Sequence, residues 1–382
     1  MWLIGVDAGG SKTEAWAVQC QTADRGGGHW AVIGGGVGRA GPGNVRTLGV
    51  AAAAVSIRAA VERAVAAALA DVAGLRLAAR ESVDDWFENS GDCLFSAEIW
   101  EQVPLVLAVA ALHVGAAGAA DAVWARAVRA ELLSAGYVGP VTVGGDVELV
   151  IEAARLGACD VSGRQAWLDV PTLEDVRSPF RARLGASDEG QWVAVIAGTG
   201  SVVCGQQRRI GGWGPLVGDA GSGFSIGRRA LAAACAAEDG SGPCTVLREC
   251  LLADAGVASL REWLGRLPTW PAVIALLADV ARHVVTSAAT DGVAAEILAT
   301  EMGLLAGQIV AARRDGFDST MPVQLALAGG LLTGHAAAVT ELLACVDDRL
   351  EQVGLPPFVG RVRVCRPVFG ALQLACAAAI TG

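Results

Sequence analysis

Lysine is almost missing from this chain of 382 residues: Lys12 is the single one, and arginine carries the remaining positive charge. Four histidines, His29, His113, His283 and His335, are scattered without an H-x-x-x-H pair. A histidine-based zinc site or a hydrolytic triad therefore has no candidate set, and only His113, placed near a strand end, stays of interest. None of the ten cysteines forms a C-x-x-C pair, which excludes zinc ribbons and thioredoxin-like motifs. Most of them sit in apolar runs and are expected as buried thiols, a usage that suits a reducing cytoplasm. Basic runs are absent too, and the net charge is −10. A bulk nucleic-acid partner is excluded on that ground, because neutralising phosphates needs a clustered positive surface. The uncharged stretches 104–120 and 367–382 fall short of the roughly 20 strongly apolar residues of a spanning helix. With no basic region preceding the first apolar run, no signal peptide is expected either. These absences point to a soluble protein without a membrane or nucleic-acid partner.

What is there is alanine, valine and leucine: hydrophobic residues make up 53% and aromatics only 5%. That composition reads as an alanine-rich α/β protein, long enough for two domains. Residues 2–7, 14–20 and 29–35 read as three strands separated by a glycine turn and a polar turn, a β-meander. A helical pattern runs from 48 to 79. An acidic, aromatic piece follows at 81–104, with Trp86, Phe87, Phe95 and Trp100. Then come a strand at 105–112, a helix at 121–135, a strand at 140–146 and a helix at 147–156. After a polar stretch at 163–190, "QWVAVIAGTGSVVCGQ" (191–206) repeats strand, glycine turn and strand. Strands at 323–330 and 361–367, a helix at 335–352 and a closing helix complete the second half. Two halves that each open with such a hairpin indicate an internal duplication.

The first hairpin contains "GVDAGGSKT" (5–13), which invites comparison with a P-loop. Gly5 and Gly10 have the right separation, yet Ser11 stands where the lysine belongs and the turn leads into a strand instead of a helix. Such a turn binds phosphate in another way. Glycine lets the backbone approach closely, and successive N–H groups form an anion-binding concavity. Asp7 at its lip would act on phosphates through a magnesium ion. In the second hairpin, Thr199 and Ser201 add hydroxyls to the N–H groups of Gly198 and Gly200.

Five segments, in order over nearly the whole chain, carry a resemblance: "GVDAGGSKTEAWAV", "VTVGGDVEL", "VAVIAGTGSVVCG", "GGWGPLVGDAGSGFSIGRRAL" and "LALAGGLL". Together they look like the N-acetylglucosamine kinase and BadF-type ATPase family of the actin and sugar-kinase superfold. The resemblance implies two ribonuclease-H-like α/β domains with an interdomain cleft. We place the first at 1–138, joined by the C-terminal helix from about 368 to 382, and the second at 139–367. It also implies ATP and Mg2+ as cofactors and a sugar, amino sugar or sugar-like cyclitol as acceptor, in a cytoplasmic homodimer.

Carried over by position, Gly9, Gly10, Ser11 and Lys12 match the first phosphate turn, with Asp7 on the metal side. Gly198, Thr199, Gly200 and Ser201 match the second, and Gly329 and Gly330 the adenosine-side turn. Asn44 matches an acceptor-binding asparagine. Asp146 matches the aspartate of an Asn-Asp motif, here preceded by Gly145, and would serve metal and substrate; as a residue, it also suits a helix cap. Asp121, one residue later than the family pattern, is the expected catalytic base; capping its helix is the alternative. Asp219 is kept in "GDAGSG", where Ala220 replaces the family's glutamate, and Trp213 is set either to stack on a sugar or to fill the core. The 81–104 piece reads as a lid, a dimer contact or a solvated insertion. Two other functions stay open: a catalytically weak sugar-binding protein on this fold, and a BadF-type activator ATPase, which would need cysteines bridging an iron–sulfur cluster.

Overall fold

The computed structural model describes residues 1–22, 30–73, 97–108, 110–155, 190–268, 272–317 and 321–381. The chain divides into two compact units, Met1–Glu189 with Val364–Gly382, and Gly190–Arg363.

In the first unit, Trp2–Ala8 (β1), Thr13–Thr22 (β2) and Trp30–Ala40 (β3) form the expected antiparallel meander. Ala111–Ala116 (β4) and Val141–Gly145 (β5) add in parallel on the other side of β1, giving the order β3-β2-β1-β4-β5. β1 and β4 are near-continuous apolar runs because both faces of the sheet are covered. Ile4, Val6 and Val114 bury with Ile57, Val61 and Val65 of the helix Val50–Val72, while Leu3 and Ala111 bury with Val368 and Leu372 of the helix Val368–Thr381.

Small residues set the distance between β3 and the helix Val50–Val72. A Cβ on Gly36 would lie 2.3 Å from the Ala68 nitrogen, and one on Gly38 would lie 2.0 Å from the Ala60 oxygen. Ala60, Ala64 and Ala68 share one helix face at i, i+4 spacing and are fully buried. A chain poor in aromatics thus fills its interior by bringing backbones together.

In the second unit, Gln191–Ala197 (β6), Ser201–Cys204 (β7), Arg209–Gly211 (β8), Val323–Ala328 (β9) and Gly360–Val364 (β10) form a sheet of order β10-β9-β6-β7-β8. β6–β7 and β7–β8 are antiparallel and β6–β9 parallel. Counted from its own first strand, each sheet has the order 3-2-1-4-5, which is the expected duplication. The helix Gly292–Arg313 is long and apolar enough to cross a membrane, with half of its most apolar window buried. It carries a fully buried, ion-paired Glu301 among Leu298, Met302 and Leu305, as a core helix does.

Several expectations need correction. Residues 105–112 do not form a strand: Ala97–Leu107 is a helix, burying Ile99, Val103, Val106 and Leu107 at helical spacing, and the strand begins at Ala111. A short apolar run fits either pattern until its neighbours are known. That helix takes up the end of the 81–104 piece, whose residues 81–96 lie outside the described residues, as do His29 and the stretch 156–189. β5 pairs with β4 and lies in the first compact unit. The following helix Asp146–Arg155 also packs closely on the C-terminal helix, where a Cβ on Gly370 would sit 2.0 Å from the Leu149 oxygen. Among the described cysteines only Cys20 and Cys376 are buried, and Cys244 is exposed.

Candidate functional site

β1 ends at Asp7 and Ala8, and the chain turns through Gly9, Gly10, Ser11 and Lys12 into β2. The Gly9 N–H donates to the Lys12 carbonyl at 2.8 Å, and the Gly9 carbonyl accepts from Gly43 N–H at 3.0 Å. Gly9 is therefore spent on closing the turn. Gly10, Ser11 and Lys12 are exposed and present the donors a phosphate would meet. Lys12 Nζ lies 3.8 Å from Glu14 Oε2. Glu14 is buried, and the sequence reading passed it over. It also accepts from Arg39 Nε at 3.1 Å, Arg366 at 2.8 Å and the Trp16 indole at 3.0 Å. Burial pushes the Glu14 carboxyl up, yet Arg366, Lys12, Trp16 and Arg39 together hold it below its ordinary value.

Asp7 behaves in the opposite way. Its pKa is pushed up to about 7, first by burial and then by repulsion from Asp146 and Glu14, against the pull of Lys12. The register explains the pairing of the two aspartates. Asp7 is level with Gly115 of β4, Gly115 with Gly144 of β5, and Asp146 opens its helix two residues beyond, all at the C-terminal ends of parallel strands. Two carboxylates forced together suit a hard cation with oxygen ligands such as magnesium. No group of three or more His, Cys, Asp or Glu side chains is placed to hold a metal among the described residues. A cation here would need phosphate oxygens to complete its shell.

Asn44 and Asp121 flank the same strand ends. Ala117 N–H donates to the Ala8 carbonyl at 2.9 Å, and Val45 N–H to the Ala117 carbonyl at 3.1 Å. Asn44 caps the short helix Val45–Leu48: its Oδ1 accepts from Arg46 N–H at 3.0 Å and Thr47 N–H at 3.3 Å. That leaves its NH2 to meet a hydroxyl. Asp121 is exposed and caps the helix Ala122–Ser134, accepting from Val123 N–H at 2.7 Å. The cap uses one carboxylate oxygen, Oδ1. A Cβ on Gly145 would come within 3.1 Å of the Ala120 Cβ, so glycine at 145 lets the Asp121 and Asp146 segments close on one another. His113 does not belong to the site. It lies within β4, level with Gly5, whose Cβ position meets Leu372 of the C-terminal helix. It is buried with Nδ1 2.8 Å from Thr142 Oγ1, and burial lowers its pKa to about 4.

In the second unit three glycine loops meet at the ends of β6 and β9. The Gly198 N–H donates to the Gly200 carbonyl at 2.9 Å, and the carbonyls of Gly198 and Thr199 accept from Gly223 at 2.7 Å and Phe224 at 3.3 Å. Ser201 Oγ donates to the Ala220 carbonyl at 2.8 Å, so this hydroxyl ties two loops together instead of facing a phosphate. Gly329, at φ 91°, lies against the backbone of Ala197, where a Cβ would be 2.4 Å from the carbonyl oxygen. Any side chain there would push the 329–330 turn away from the end of β6. Asp219 is buried and accepts from Gly214 N–H at 3.1 Å, and among the described residues it is the non-glycine one held at positive φ, 59°. Strained backbone of this kind persists only where surrounding contacts fix it. Trp213 is 76% exposed, flanked by exposed Leu216 and Val217, which rules out the core reading.

Two like sheets, each with glycine turns at its strand ends, are a fold shared with solved structures of candidate N-acetylglucosamine kinases. Over 98% of this chain and 98% of the other, the structure resembles a candidate N-acetylglucosamine kinase from Chromobacterium violaceum (TM-score 0.57, 21% identity). Over 98% and 99% it resembles one from Porphyromonas gingivalis (TM-score 0.53, 14% identity). In sequence it is 39% identical over 71 residues to an N-acetylmuramic acid/N-acetylglucosamine kinase of Clostridium acetobutylicum. It is 46% identical over 65 residues to an N-acetyl-D-glucosamine kinase of Dictyostelium discoideum. Those stretches span 23% and 20% of the two relatives, and 17% and 16% of this chain. No protein-family model matches the chain.

Proposed function

We propose that the protein is an ATP-dependent small-molecule kinase. It transfers the γ-phosphoryl group of MgATP to a hydroxyl of a sugar, of an amino sugar resembling glucosamine or N-acetylglucosamine, or of a sugar-like cyclitol. The observation that carries this reading is the knot of glycine loops at the ends of parallel strands, with 198–199 tied to 223–224 by backbone hydrogen bonds and Gly329 packed against Ala197. Such a knot presents main-chain donors to a polyphosphate without a lysine.

In this reading Gly10, Ser11 and Lys12 in the first unit, and Thr199 and Gly200 in the second, hold phosphate oxygens. Gly329 and Gly330 face the adenosine. Asn44 offers its NH2, and Asp219 and Trp213 a carboxylate and an aromatic face, to the acceptor. Asp121 takes the acceptor's hydroxyl proton on its uncapped oxygen. Asp7 and Asp146 would hold magnesium, which supplies neutralisation of phosphate charge. Positioning and charge neutralisation account for most of the rate in phosphoryl transfer. The same reading makes the protein a cytoplasmic homodimer, which sedimentation of the purified chain tests.

The functional test is coupled ADP release with a panel of amino sugars, neutral sugars and cyclitols. Asp121→Asn keeps the helix cap and removes the base. We expect acceptor-dependent turnover to fall by about a hundredfold or more with nucleotide binding and melting temperature unchanged. Unchanged turnover sinks the base assignment. The capping role of Asp121 and the Ala220 departure favour the second reading, a sugar-binding relic. Acceptor binding by calorimetry, with no ADP released from any acceptor, would select it.

A further inference from the structure

We propose that Glu301 is a positioning residue for the second phosphate turn, acting from the helix Gly292–Arg313 through the loop Gly218–Gly223. The inference deepens the kinase reading and rests on it. Glu301 is fully buried, on a helix whose neighbouring inward positions are Ile297, Leu298, Met302 and Leu305. An apolar side chain would serve a core helix there, and an ionised carboxylate is costly to bury unless its oxygens are satisfied. All three of its donors come from one short segment. Oε2 accepts from Gly221 N–H at 2.7 Å, and Oε1 accepts from Ser225 Oγ at 2.8 Å and from the Arg229 guanidinium.

That segment is in turn the support of the phosphate turn. Ala220 holds Ser201, Gly223 holds Gly198, and Phe224 holds Thr199 through the hydrogen bonds described above. The loop backbone lies directly on the helix. A Cβ on Gly221, at φ 75°, would be 2.7 Å from the Leu305 Cβ, so no side chain intervenes. Two residues earlier, Asp219 stays in its left-handed conformation and fixes Gly214. Glu301 supplies the one charged anchor on the far side of this strained loop. Its Gly221 contact sets where the loop sits, and the Ser225 and Arg229 contacts fix the first turns of the helix Gly223–Glu238. Glu301 does not touch a reacting atom; it acts through the loop.

Glu301→Gln keeps the shape and puts an NH2 against either Gly221 N–H or the Ser225 and Arg229 donors. Amide hydrogen exchange of the ligand-free protein is then expected to quicken at 198–201 and 219–225, with the rest of Gly292–Arg313 as protected as before. ADP and ATP dissociation constants by calorimetry should rise about tenfold, as loss of a charged hydrogen bond implies. Ser225→Ala, which removes one donor, should shift exchange and nucleotide affinity the same way by less, and serves if the glutamine variant does not fold. Arg229→Met, which leaves the Gly221 contact in place, should lower the melting temperature but change loop exchange and nucleotide affinity less than Glu301→Gln does. Unchanged loop exchange in Glu301→Gln overturns the proposal, as does faster exchange with unchanged nucleotide affinity. An Arg229→Met effect as large as that of Glu301→Gln overturns it too, because the ion pair would then be the whole role. Wild-type protein that binds neither ADP nor ATP refutes the kinase reading itself, and is seen before any variant is made.

Discussion

Replacing Asp7 with asparagine should make the protein more stable and less able to bind MgATP. The carboxyl is held near pH 7 by burial, by Asp146 and by Glu14, against an ordinary value of 3.8. Between those values the unfolded chain has released this proton while the folded protein keeps it. The folded state then binds more protons, so Asp7's contribution to stability falls as pH rises from about 4 to about 7 and is level above. The gap of about three pH units corresponds to about 4 kcal/mol at about 1.4 kcal/mol each, a ceiling because asparagine must itself be hydrogen-bonded. Urea unfolding followed by circular dichroism, in chelator and without nucleotide, should show a gain of up to about 4 kcal/mol at pH 8, shrinking by about half at pH 5.5. Calorimetry on the same variant should show magnesium-dependent ATP affinity lost. Equal stabilities of variant and wild type at pH 8 would refute the reasoning, and so would a gain independent of pH. Retained magnesium dependence would remove Asp7 from the metal side while leaving the electrostatics intact.

Glu14→Ala strands Arg39, Arg366 and the Trp16 indole beside a buried position. It should cost about 3 kcal/mol, the lower end for breaking a buried pair since both arginines keep some water contact. Thermal melts check this, and a melting temperature within a degree or two of wild type would contradict it. Trp213→Ala removes an exposed side chain and should change stability by less than about 0.5 kcal/mol. If Trp213 stacks on the acceptor, its KM should rise about tenfold with the ATP KM unchanged. Steady-state kinetics with each substrate varied in turn decide it, and equal KM values for the acceptor remove Trp213 from the site.

How far the sequence could be read follows from the range of the interactions involved. The hairpins around Gly9–Lys12 and Gly198–Ser201 are local: alternation on either side of a glycine turn declares them, and both are present. The duplication is legible for the same reason, as the same local pattern occurs twice and both sheets take one strand order. Residues 105–112 were misread because an apolar run of eight carries no decisive period. Burial of Ile99 and Val103 upstream turns the first part into a helix. β5 joins the first unit through its hydrogen bonds to β4, a pairing that no composition change announces. The site shows the same division. Glycines and hydroxyls of the turns sit together in sequence, whereas the charges that support them come from afar. Arg366 reaches Glu14 across 352 residues, and Glu301 reaches Gly221 across 80. Glu301 did leave a trace, a carboxylate inside the apolar run "ILATEMGLLAGQIV" (297–310). A charge at such a position is tolerated only when something inside the protein needs it, which makes it the kind of residue to seek first when a turn's supports are unknown.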